Sequence, residues 1–171
     1  REPAEQGKLV VLASGPSKAK DICQPIFEAL SQRILWLGEA GDGSKCKVVI
    51  NGWIVGVVGV LAETIALAEA LGIDPNKFFE AIEGGPLDLP YARMKGKAMI
   101  EHSFDDVAFR LALSRKDAEL VLEAAGQTDL ETLIMEAVAE RLRRAESDGH
   151  GDEDMAATYW ASAPATDRSR A

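Results

Sequence analysis

Lys47 and Asn51 are the residues of this 171-residue chain whose types and spacing could do chemistry. They stand four apart in the stretch Gly38–Gly72, which opens with Gly38, Gly41 and Gly43 and is apolar from Val48 to Ala62 except for Asn51. On one helix they lie a turn apart on the same face. An ammonium and a carboxamide held together against an apolar rod are costly to bury unless something uses them. A positioned ammonium can give a proton to a forming alkoxide, and its charge stabilises the oxyanion beforehand. The amide can donate to a substrate carboxylate or hydroxyl while its oxygen fixes the ammonium. Burial against valine and isoleucine would favour the neutral amine, which suits proton transfer in both directions. Taken alone, Lys47 reads more simply as a lysine snorkelling at a helix start. Lys116-Asp117, with Phe109 upstream, is a second candidate, and taken alone it is an ordinary exposed charge pair.

The element that must position Lys47 has two readings. Asn51-Gly52 flanked by valine, isoleucine and tryptophan is a strong hairpin signal, and Gly52, Gly56 and Gly59 each cost a helix roughly 1 kcal/mol relative to alanine. Against this, the pattern runs without a turn signal into the plainly helical ETIALAEAL and stops at Gly72. The three glycines also fall on about one side of a helix, where another backbone could approach closely. An apolar run of about 15 residues is shorter than the ~20 that cross a bilayer.

Before this stretch, residues 7–14 read as a short buried strand. Residues 17–30 read as a helix with Ile22, Ile26, Phe27 and Leu30 on one face, and residues 33–37 as a second strand. A strand–helix–strand unit of this size cannot bury both of its faces and resembles the end of a larger α/β sheet. After Gly72, Asp74-Pro75 suits the cap and first position of a helix through Phe78, Phe79 and Ile82. Further helices are expected over about 91–99, 106–125 and from the Thr128-x-x-Glu131 capping box onward, with a short one at 154–160. From Gly38 the chain is all-α.

Net charge is −9 and the largest basic cluster is Arg141-Leu-Arg-Arg144, which argues against nucleic acid and anionic membranes as partners. Two cysteines, Cys23 and Cys46, make no disulfide framework, and reduced cytoplasmic thiols are the simplest reading. No apolar leader segment is visible at Arg1. The run Gly149-His150-Gly151-Asp152-Glu153-Asp154 lacks the ligand spacing of a zinc site or a calcium loop, so no metal is expected.

Gly38-x-x-Gly41-x-Gly43-x-x-x-Lys47-x-x-x-Asn51 resembles the catalytic-helix motif of the β-hydroxyacid dehydrogenases. Phe109-x-Leu111-x-x-x-x-Lys116-Asp117 resembles that family's second pattern, with Ala118 where leucine is commoner. The resemblance implies a catalytic Lys47 and substrate contacts from Asn51, Phe109 and Asp117. It also implies a cofactor contact from Lys116, NAD or NADP as cofactor, and a small carboxylate substrate. The fold it implies is mainly α: an all-helical C-terminal domain of 6-phosphogluconate-dehydrogenase-like type at 38–160, after a strand–helix–strand remnant of a Rossmann domain at 1–37. A flexible tail at 161–171 and a homodimer or homotetramer through the helical domain complete the expectation. Imine reductases share the architecture but usually replace the lysine. No G-x-G-x-x-G loop occurs in the sequence, so the resemblance implies the C-terminal part of a longer enzyme. A non-catalytic oligomerisation module is the competing reading.

Overall fold

The computed structural model describes residues 2–163. The elements are α1 (Glu2–Glu5), β1 (Leu9–Ala13), α2 (Ser17–Leu30), β2 (Ser31–Trp36), α3 (Asp42–Ala70), α4 (Pro75–Ile82), α5 (Pro90–Ile100), α6 (Leu111–Ala125) and α7 (Leu133–Ala145). A π-turn (Glu146–His150) and a 3-10 helix (Met155–Ala161) follow. The chain divides into two compact units, Arg1–Asn51 and Gly52–Ala171. The expected tail overlaps the described residues only at 161–163, where Ala161 and Ala163 are buried; 164–171 lie outside them.

In the first unit β1 and β2 pair in parallel, with Val10 opposite Arg33 and Ala13 opposite Trp36. α2 makes the crossover and packs on β2. Phe27 lies against Trp36 with ring centroids 5.9 Å apart, and the Trp36 indole donates to Gln24 Oε1 at 2.8 Å. The apolar face expected of α2 is therefore split. Phe27 covers the sheet, whereas Ile22, Ile26 and Leu30 are each more than half exposed. Two strands offer one helix too little surface to bury more.

The second unit is helical. One face of α3, through Val55, Val58, Leu61, Ala62 and Ile65, meets Met99 of α5, Leu111 of α6, Leu142 of α7 and Tyr159 of the 3-10 helix in a single core. The hairpin at Asn51-Gly52 does not form. α3 runs as one helix over 29 residues, because burying that face outweighs the glycine cost. By length and composition α3 could cross a membrane, a longer element than the apolar run in the sequence suggests. Its buried side chains belong to the core just described, whereas Trp53, Val60 and Leu67 on its other side are exposed.

The glycines of α3 do not admit a second backbone within the unit. A Cβ on Gly52 would meet the Val121 side chain of α6 at 3.3 Å, one on Gly59 the Val138 side chain of α7 at 3.0 Å, and one on Gly56 nothing within 4 Å. Asp74 caps α4 through the Asn76 amide at 2.9 Å, with Pro75 at the first position. The capping box is not built: α7 starts at Leu133 after Thr132. The Thr128 hydroxyl instead donates to the Ala125 carbonyl at 2.8 Å and accepts from the Leu130 amide, closing the end of α6.

Candidate active site

Lys47 sits in the second turn of α3, and β1 sets that turn. The Gly43 amide donates to Ser14 Oγ at 3.0 Å, and a Cβ on Gly43 would lie 2.6 Å from the Leu12 carbonyl oxygen. Only glycine lets the helix start this close to the strand. Asp42 closes the turn by accepting from the Glu39 amide at 3.0 Å and from Lys45 at 2.9 Å. The hydrogen bond and charge of Lys45 hold its carboxyl below the usual carboxylate range. Lys45 is thereby occupied.

Lys47 opens into a groove of about 440 Å³ lined by Val10, Leu12, Gly43, Ser44 and Ile50. Its side chain is exposed, not buried against valine and isoleucine as the sequence suggested, because the groove is open on its outer side. Lys47 has no ion pair among the described residues. Asn51 lies one turn further on the same side of α3 and is 9% exposed. It does not line the groove.

Phe109, Lys116 and Asp117 belong to the second unit. Phe109 is half-buried and packs against the core. Lys116 is exposed on α6, opposite the buried face formed by Leu111, Ser114 and Ala118, and Asp117 is half-buried. Among the described residues Lys116 makes no ion pair.

One buried ion pair was not expected from the sequence. Lys95 is 2% exposed and Asp154 3%, and the ammonium sits 2.7 and 2.8 Å from the two carboxylate oxygens. Asp154 also accepts from the amides of Ala108 at 3.1 Å, Phe109 at 3.2 Å and Ala156 at 2.9 Å. The last of these makes it the cap of the final helix. A signal existed for Lys95: Ala92, Lys95, Gly96 and Met99 follow helical core spacing, and a lysine on a core face requires an acid.

Tyr91, whose hydroxyl donates to Met155 Sδ at 3.3 Å, stands beside the pair with Lys95 Nζ 5.5 Å from its ring. Burial, aided by the Asp154 charge, pushes its phenol up to about 12. A raised folded-state value means that the folded chain keeps a proton the unfolded chain releases. The stabilisation is complete below about pH 10 and is lost as pH rises toward 12. Spectrophotometric titration should therefore find one tyrosine ionising near 12, and Tyr91→Phe should abolish that step. In the acidic run, His150 Nδ1 lies 3.0 Å from Glu153, and among the described residues no three potential ligands converge as around a metal.

Residues 41–161 match the family described as NAD-binding of NADP-dependent 3-hydroxyisobutyrate dehydrogenase. The chain belongs to that family. The family is NAD(P)-dependent and lies within the β-hydroxyacid dehydrogenases. Glyoxylate/succinic semialdehyde reductase 2 of Arabidopsis thaliana is 32% identical over 92% of this chain and 44% of its own length. The cytokine-like nuclear factor N-PAC of Anopheles gambiae is 30% identical over 93% of this chain and 28% of its own. The chain spans about half the length, or less, of these curated relatives. The structure of 3-hydroxyisobutyrate dehydrogenase from Salmonella typhimurium superposes with a TM-score of 0.84 at 20% identity, covering 92% of this chain and 55% of that one. That likeness establishes the mainly helical fold.

Proposed function

We propose that this chain is the C-terminal part of a cytoplasmic NAD(P)-dependent oxidoreductase. The enzyme moves a hydride between nicotinamide and a small β-hydroxyacid, or the matching semialdehyde or oxo-acid. The observation that carries this reading is Lys47, without an ion pair among the described residues and at the edge of an open groove, with Asn51 one turn behind it on an unbroken helix. The reduced nicotinamide supplies the hydride to the carbonyl carbon. Lys47 gives a proton from Nζ to the carbonyl oxygen as it becomes a hydroxyl, and takes it back in the reverse direction. Its charge is matched to the oxyanion before the proton moves. Asn51 holds the substrate carboxylate or hydroxyl through Nδ2. The family resemblance assigns Phe109 and Asp117 to the substrate and Lys116 to the cofactor. The open groove is dried by the bound reactants themselves, which strengthens the ammonium–oxyanion attraction. Subunits associate as a homodimer or homotetramer through the helical unit, where Trp53, Val60 and Leu67 of α3 are more than half exposed.

Three measurements test the reading. The complete enzyme is expected to oxidise NADH or NADPH with glyoxylate or succinic semialdehyde. Lys116→Gln is expected to raise the KM for cofactor about tenfold, the effect of losing one charge-assisted contact. Residues 1–171 alone are expected to turn over nothing and to bind NAD(P)H weakly. Nanomolar binding by this chain, or no turnover by the complete enzyme with any small oxo-acid, contradicts the proposal.

A second reading rests on one comparison. A relative named as a nuclear factor is nearly as similar as one named as a reductase. In that reading the same fold is a non-catalytic scaffold. It predicts that Lys47 can be replaced without consequence.

A further inference from the structure

Outside the Lys47 groove, Lys95 and Asp154 form a buried ion pair. A lone ion pair removed from water is a poor source of stability, since desolvation consumes most of the attraction. This one nonetheless gives both carboxylate oxygens several donors, and its bonds converge on one place. Asp154 receives the consecutive amides of Ala108 and Phe109. Around it the backbone closes like a short zipper. The Asp154 amide donates to the Phe104 carbonyl at 2.9 Å, the Met155 amide to Phe109 at 2.8 Å, the Leu111 amide to Glu153 at 2.9 Å and the Ala112 amide to Gly151 at 3.0 Å.

The last two bonds matter most. α6 has no side-chain cap at Arg110, so its first amides are satisfied by carbonyls of the segment that Asp154 anchors. The pair therefore fixes both Phe109 and the start of the helix that bears Lys116 and Asp117. Lys95 supplies the charge that lets the carboxylate remain buried.

We propose that Asp154, balanced by Lys95, is the positioning residue of the ligand-facing side of the helical unit. It sets Phe109 directly and Lys116 and Asp117 through the register of α6. The proposal rests on the assignment of those three residues above, and its tests separate the two ideas.

In the complete enzyme, Asp154→Asn keeps an acceptor but loses the charge and one oxygen. KM for cofactor and for substrate is expected to rise about tenfold while kcat falls at most about threefold, with the pH profile of kcat unmoved because Lys47 is untouched. A purely structural role lowers the active fraction and leaves KM where it was; that result overturns the proposal. Lys95→Gln, a milder change, is expected to move KM the same way by about threefold.

A further readout needs neither turnover nor a variant. The Ala108 and Phe109 amides, although in a loop, are expected to exchange with solvent as slowly as core helix amides of the same unit. Exchange at free-loop rates overturns the positioning role. Slow exchange in a protein without turnover leaves the positioning role standing and removes only the enzymatic reading.

Discussion

Replacing Lys47 by alanine in the complete enzyme is expected to lower kcat by about 10²–10⁴-fold, the range that a positioned general acid supplies, while the KM for NAD(P)H changes little. The reason is the division of labour along the chain. Lys47 is placed at the groove by the first turns of α3, whereas the cofactor contact is assigned to Lys116 on α6. Removing an interaction that grows only as the alkoxide forms reduces kcat and kcat/KM together. Lys47→Arg retains the charge but holds its proton too tightly to give it up, so it is expected to recover binding and little turnover. Retention of most of the activity in Lys47→Ala would favour the scaffold reading instead.

The second large effect concerns a residue with no side chain. Gly43→Ala puts a methyl 2.6 Å from the Leu12 carbonyl oxygen, a backbone atom that cannot swing aside. Either β1 or the first turn of α3 must move, and the Ser14–Gly43 hydrogen bond is lost with it. Overpacking of this kind costs about 1–3 kcal/mol. The functional cost is of similar size, because Lys47 follows one turn later. A displacement of about 1 Å at a reacting group costs on the order of 10²-fold. A thermal melt and steady-state kinetics on the same variant check both numbers. The expected outcome is a folded protein with a modestly lowered Tm and a kcat reduced about 10–100-fold.

Much of this was legible in the sequence where local chemistry and global packing agree. Asp74-Pro75 caps α4 as read, and the two strands fall within a residue or two of their expected limits. The helical character from Gly38 onward also stands. Where they disagree, tertiary structure wins. Asn51-Gly52 carries the local signature of a hairpin, yet the core formed by Val55, Val58 and Ile65 needs a helix through it. Thr128 has the spacing of a capping box, but its hydroxyl closes α6. The exposure of Lys47 was not legible at all, since it depends on how much of the groove β1 covers. Lys95 was overlooked for another reason. Its core-face spacing is visible in the sequence, but its partner Asp154 lies 59 residues away.

In the proposed reaction the ammonium of Lys47 meets the oxygen that alternates between carbonyl and hydroxyl, with Asn51 on the same substrate. A crystal structure of the complete enzyme with NAD(P)⁺ and a small hydroxyacid tests it most directly. Lys47 Nζ is expected within about 2.6–3.2 Å of the reacting hydroxyl, and Asn51 Nδ2 on the carboxylate or hydroxyl of the acid. A substrate seated away from Lys47, or a Lys47 turned to solvent with the reacting oxygen held by other groups, would contradict it.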